Sequence, residues 1–236
     1  SMKGEEAFNW LGSEYTSNSY IEGLENIPKE GNFLIVSNHP MGAADAIALY
    51  YQIYPVRSDI FFFANELFVY LLGAFHELLA PVVWNKEKET HSANKVTLER
   101  LSVFLGDGRP GIIFPSGRLS KLTFFGLWDR PWEKTPITLA KKYNFPLIPV
   151  HVEGRNSWFF YFASFVNKQL RDVSQLNELF NKRDKNISIK IGKPVNIGLL
   201  SDNSDIAINQ LRYKSESLRK KTVLKLNSFI RLRNFR

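Results

Sequence analysis

The chain contains no cysteine. Disulfides, thiolate metal sites and a cysteine nucleophile are thereby excluded. A reducing compartment is compatible with this but not required by it. Long apolar runs are missing too. The nearest approach, Leu67 to Trp84, is interrupted by His76, Glu77 and Pro81, which suits a buried or interfacial segment better than a membrane span. No signal-peptide pattern opens the chain, and Ser1-Met2 reads as a cloning remnant ahead of a native start. The four histidines, His39, His76, His91 and His151, show no ligand spacing such as His-Glu-x-x-His, so no metal site is expected.

What is present is enough for one sizeable core: 236 residues, 14% aromatic, with 19 Phe. The net charge of +8 is concentrated at the end. From Arg212 to Arg236, nine Lys or Arg stand against Glu216 alone. A solvated helix face is the plainest reading of such a segment, and an anionic surface the sharper one. Nucleic acid is the weaker partner, because Tyr213, Phe229 and Phe235 are the only rings among those basic residues. No nucleic-acid partner is expected.

Apolar runs alternate with helical patterns. Strands are expected at Phe33–Ser37, Asp59–Ala64, Ala80–Trp84, Gly111–Phe114, Pro146–Val152 and Ile187–Ile191, the last half-exposed. Helices are expected at Ala43–Tyr54, Glu66–Phe75, Ala93–Leu105 and Thr135–Tyr143, the last capped by Thr135. A basic helix closes the chain, with Leu211, Leu218, Thr222, Phe229 and Ile230 as its apolar stripe. The alternation predicts a single α/β domain with a mainly parallel central sheet flanked by helices. Residues 1–30 are expected to be a lead-in to a domain at 31–236.

Three segments carry the chemistry. In "SNHPMGAADAIAL", Pro40 pushes His39 into extended backbone, so His39 belongs to a strand end, where open α/β sheets bind ligands. Asp45 follows six residues later. The two side chains meet only if Pro40 to Gly42 forms a non-helical turn, which Gly42 permits. A carboxylate on one imidazole nitrogen leaves the other free to take a proton. The plainer alternative has His39 closing the helix start and Asp45 favouring its positive end. In "GIIFPSGRLSK", the turn Phe114-Pro115-Ser116-Gly117-Arg118 could cradle a phosphate. It is neither a P-loop nor a nucleophile elbow. In "PLIPVHVEGRNSWFFY", a buried strand ends in Glu153, Arg155 and Asn156. The rings Trp158 to Phe162 then either begin a packed amphipathic helix or lie on a membrane interface.

Together these segments resemble the glycerolipid (1-acylglycerol-3-phosphate, lysophospholipid) acyltransferase superfamily. The nearest likeness is to a bacterial branch labelled haemolysin acyltransferases, whose first motif resembles Ser37-Asn38-His39-Pro40. The similarity continues through Trp132–Thr135, Glu153–Ser157, Ile191–Pro194 and Leu211-Arg212. It implies phospholipid or other lipid metabolism with His39 and Asp45 catalytic. Asn38, Gly42, Phe114, Pro115, Ser116, Gly117, Arg118, Glu153, Arg155 and Asn156 would bind substrate, and backbone N–H groups near Gly42 would serve an oxyanion. It also implies a lysolipid acceptor, acyl-CoA or acyl-carrier protein as co-substrate, no cofactor, and a cytoplasmic protein bound peripherally to an anionic membrane surface. This sequence departs from the family at Ser116, Arg118 and Leu119, where better-known members carry Glu, Thr and Arg, so lysophosphatidate is not a safe acceptor. A hydrolase using the same pair, or a non-catalytic membrane-binding protein, are the alternatives.

Overall fold

A computed structural model describes residues 4–65, 73–82, 91–124, 126–167, 174, 177–183 and 185–219. The strands are β1 (Ser19–Glu22), β2 (Leu34–Ser37), β3 (Phe61–Asn65), β4 (Leu79–Val82), β5 (Gly111–Ile113), β6 (Lys121–Thr123), β7 (Gly126–Trp128), β8 (Leu147–Glu153) and β9 (Ile187–Ile191). The helices are α1 (Gly4–Tyr15), α2 (Ala43–Ile53), α3 (His91–Gly106), α4 (Thr135–Tyr143), α5 (Trp158–Val166) and α6 (Ser204–Ser217).

Seven strands form one sheet in the order β1-β9-β8-β2-β5-β3-β4. All neighbours run parallel except β8 and β9, which are antiparallel. The predicted mainly parallel α/β fold is therefore present, with β1 and β9 reversed at one end. Apolar side chains on successive residues serve opposite layers. Leu34 and Val36 join Leu101, Phe104, Ile137, Ile208 and Leu211 on one side. Ile35 joins Phe8, Ile47, Tyr50 and Ile53 on the other. Both faces of the central strands are thus covered, as the continuous apolar runs require.

Several expectations change. The lead-in is not separate: β1 is an edge strand of the sheet, and α1 packs on α2. Thr135 does not cap α4, because Lys134 holds the N-cap position and Thr135 and Pro136 lie inside the first turn. Strand β9 is not half-exposed: four of its five residues are buried, Lys190 among them, and the fifth, Ser188, lines a cavity. The hairpin β6–β7 had no strand signal, being two three-residue strands. The predicted helix Glu66–Phe75 falls mostly outside the described residues, with a 3₁₀ turn at Gly73–Leu78 at its end. Residues 83–84 of the third predicted strand and 220–236 of the basic segment also lie outside them. Among the described residues no helix is long and apolar enough to cross a membrane.

Helix α2 carries Asp45, and α1 braces it at Gly12. A Cβ there would sit 2.4 Å from Tyr51 Cβ, atoms with no freedom to swing away. Gly12→Ala should therefore force the two helices apart and destabilise the fold by about 1–3 kcal/mol, read as a lower urea midpoint with the slope unchanged.

Candidate active site

Strands β8, β2 and β5 are parallel neighbours, so their carboxyl ends open on the same edge of the sheet. The three motif segments leave from those ends and converge there. Asn38 fastens the first to the third. Its amide donates to the Val152 carbonyl at 2.9 Å and accepts from the Val152 N–H at 2.7 Å. Asn38 thus acts as one more rung between β2 and β8, with its side chain engaged by backbone.

The turn that follows brings His39 and Asp45 together. Gly42 has φ +82°, a conformation that a side chain would strain. Helix α2 starts at Ala43, placing Asp45 in its first turn. Asp45 is fully buried, and its Oδ2 accepts the Met41 N–H at 2.8 Å and the Gly42 N–H at 3.0 Å. The same oxygen lies 3.0 Å from His39 Nδ1. That approach is close, but Nδ1 is not directed along a well-aligned hydrogen bond to it. Catalytic contacts without substrate are commonly loose in this way. The Phe114 ring stacks on the imidazole at 4.1 Å between centroids, fixing its plane. His39 is one-fifth exposed. Its second nitrogen, Nε2, is the one left to exchange a proton. The Met41 and Gly42 N–H groups serve Asp45, so the expected oxyanion donors near Gly42 are already committed.

A cavity of about 970 Å³ begins beside this dyad. Asn38, Pro40 and Met41 line one end, and Asn18, Tyr20 and Ser188 the other. Glu153, Arg155 and Asn156 also line it, whereas His39 and the Ser116–Arg118 turn do not. Arg118 is exposed, and the Ser116 hydroxyl donates to its own turn, at the Arg118 carbonyl. The structure therefore joins the first and third segments around the cavity. Of the second, Phe114 is joined to the imidazole, while Pro115 is buried and receives the Glu133 N–H.

Sequence reasoning missed several supports. Asp129 accepts from Ser120 Oγ at 2.8 Å and Trp132 Nε1 at 2.7 Å. The Ser120 N–H in turn holds the His39 carbonyl at 2.8 Å. Burial pushes the Asp129 carboxyl up, against the pull of those two donors. Glu178 accepts from the Ser157 N–H and hydroxyl at the start of α5, and pairs with the buried Lys182 at 2.9 Å. Burial would raise Glu178, but Lys182 and Ser157 hold it below the usual carboxylate range. Ser120, Trp132 and Ser157 stand in the segments read above and Lys182 lies one turn from Glu178, but Asp129 and Glu178 belong to no motif, and only folding brings Glu178 to Ser157. His151 could have been suspected as a lone polar side chain in an apolar strand.

A family model described as acyltransferase matches residues 6–231. The chain belongs to this acyltransferase family. It is 32% identical over 182 residues to the lyso-glycine lipid O-acyltransferase of Bacteroides thetaiotaomicron, covering 74% of this chain and 65% of that protein. To the protein of the same name from Phocaeicola vulgatus it is 31% identical, covering 74% of this chain and 63% of the relative. This acyltransferase-family chain thus spans a little under two thirds of the length of these curated relatives. Its fold matches the crystal structure of the 1-acyl-sn-glycerophosphate (LPA) acyltransferase PlsC from Thermotoga maritima. There the TM-score is 0.53 at 21% identity, covering 91% of this chain and 75% of that one.

Burial depresses the His151 pKa from 6.5 to about 4. As pH falls from 6.5 towards about 4, the unfolded chain takes up a proton that the folded one refuses. Stability from this residue is complete above pH 6.5 and lost through that window, at about 1.4 kcal/mol per unit. Replacing His151 with Gln should flatten that part of the stability curve, measured by denaturant unfolding at stepped pH.

Proposed function

We propose that the chain transfers a fatty acyl group from a thioester, acyl-CoA or acyl-carrier protein, to a hydroxyl of a lysolipid. The observation that carries this reading is the buried Asp45 carboxylate 3.0 Å from His39 Nδ1, beside a cavity large enough for a lipid headgroup. Membership of the acyltransferase family supports it. Asp45 holds the imidazole with Nε2 outward. Nε2 takes the proton from the acceptor hydroxyl as its oxygen attacks the thioester carbonyl. The tetrahedral intermediate collapses, the carbon–sulfur bond breaks, and the imidazolium returns the proton to the departing thiolate. No acyl-enzyme is needed. The acceptor class is suggested by the relatives, whose names specify O-acylation of a lyso-glycine lipid. Glycine has no hydroxyl, so the oxygen acylated in such a lipid belongs to its chain.

Either His39→Ala or Asp45→Asn should reduce transfer about 10²- to 10⁴-fold, measured as acylated lysolipid formed from a radiolabelled thioester. Undiminished transfer by both variants would sink the dyad. Free fatty acid without acylated acceptor would assign the pair to hydrolysis instead.

The same reading places the protein on an anionic membrane surface. On α5, Trp158, Phe159, Phe162, Phe165 and Val166 recur at one-face helical spacing and all point outward, Phe165 91% exposed. Phe160 and Ala163 take the inward face. At the hairpin turn, Phe124 is wholly exposed. Two exposed rings, Trp128 and Trp158, line the same cavity, and the Arg155 guanidinium lies 5.6 Å from the Trp158 ring. Aromatic rings beside cations suit the headgroup layer of a bilayer. Replacing Phe159, Phe162 and Phe165 together with Ser should weaken co-sedimentation with phosphatidylglycerol vesicles on the order of 100-fold. Unchanged binding would move the contact to another surface.

A further inference from the structure

One end of the cavity is floored by polar side chains of a sheet. Strand register places Tyr20, Ser188 and Glu153 in one row across β1, β9 and β8, and Glu22, Lys190 and His151 in the next. Facing residues of a sheet project to the same side, so these two rows share one face. Among the described residues, His151 Nδ1, Ser188 Oγ and both amide atoms of Asn156 are buried without a partner. All three residues line the cavity. An unpaired buried amide or hydroxyl costs about 1–3 kcal/mol, and a ligand that supplies both a donor and an acceptor removes that cost. The soft χ2 torsion of Asn156 lets its amide turn to meet such a ligand.

The charges select the ligand further. Arg219 and Lys185 line this end and have no carboxylate partner among the described residues. Arg219 reaches over the hairpin, its Nη2 4.0 Å from where a Cβ on Gly126 would stand. Lys182 is matched by Glu178 and Lys190 by Glu22. Asp129, Glu153 and Glu216 add carboxylates to the same lining, which opposes a phosphomonoester dianion. Arg219 and Lys185, beside a floor that includes amide, hydroxyl and imidazole, fit one carboxylate beside one amide.

We propose that this end of the cavity is a headgroup subsite for an amide-linked amino acid. Arg219 and Lys185 hold its carboxylate, and Asn156, His151 and Ser188 hydrogen-bond its amide. The proposal rests on the acyl-transfer reading only for the role of the ligand as acceptor, since the subsite can bind without chemistry.

Binding is followed by the fluorescence of Trp128 and Trp158, which line the cavity, using full-length His39→Ala protein. The probe is N-dodecanoylglycine below its micelle concentration, and the comparison is its methyl ester. The free acid should bind about 5- to 20-fold more tightly than the ester. Arg219→Gln, a change at an exposed position, should abolish that preference. Asn156→Ala, checked for an unchanged melting curve, should weaken both probes about 10-fold or more. Equal binding of acid and ester, equal weakening of both by Arg219→Gln, or no binding at all would overturn the subsite. Wild-type protein is then offered N-(3-hydroxydodecanoyl)glycine and lysophosphatidate with acyl-CoA and with acyl-carrier protein. Tight binding of the acid with no transfer to either acceptor would leave the subsite standing and remove the acyl-transfer reading. Transfer to lysophosphatidate with no binding of the acid would do the reverse.

Discussion

One buried carboxylate organises the active end of this molecule. Asp45 Oδ2 gathers the Met41 and Gly42 N–H groups and lies beside His39 Nδ1. A carboxyl group at zero exposure is tolerable only when hydrogen bonds or dipoles meet it. Two backbone donors and the start of α2 do so at Oδ2, while Oδ1 has no hydrogen-bond partner among the described residues. They also set the shape of the Pro40–Gly42 turn, because the turn must aim both N–H groups at one oxygen. The position of the imidazole is therefore a consequence of solvating Asp45 with protein.

The surrounding structure holds His39 by its backbone as well. Asn38 ties its strand to β8, and Ser120 ties its carbonyl to the segment that leads into the hairpin. Ser120 and Trp132 in turn meet at Asp129, whose carbonyl accepts from Arg212 of α6. The dyad, the hairpin and α6 are thereby linked through a few short hydrogen bonds. Such support holds the imidazole in one place. The cavity takes its polarity from the opposite end of the sheet. There, polar side chains of β1, β9 and β8 share one face.

How much of this was legible depends on how local each feature is. Pro40 and Gly42 act within a few residues of His39, so the turn and the meeting of His39 with Asp45 could be expected from residue types alone. The alternation of apolar runs with helical patterns likewise implied a parallel sheet covered on both faces. Phe114 could be singled out from its motif, but that its ring lies flat on the imidazole could not.

The sequence by itself determined which residues end the central strands, and it set the turn chemistry that lets one histidine meet one aspartate. Both follow from steric limits and periodicity acting over short stretches. Tertiary folding alone set β8, β2 and β5 side by side, kept Ser116 to Arg118 out of the cavity lining, and turned the rings of α5 outward. Strand order follows from burying apolar area across the whole molecule, and the rotation of α5 from which of its faces finds a partner, here that of Phe160 and Ala163. That is a sum over distant segments, and no local pattern carries it.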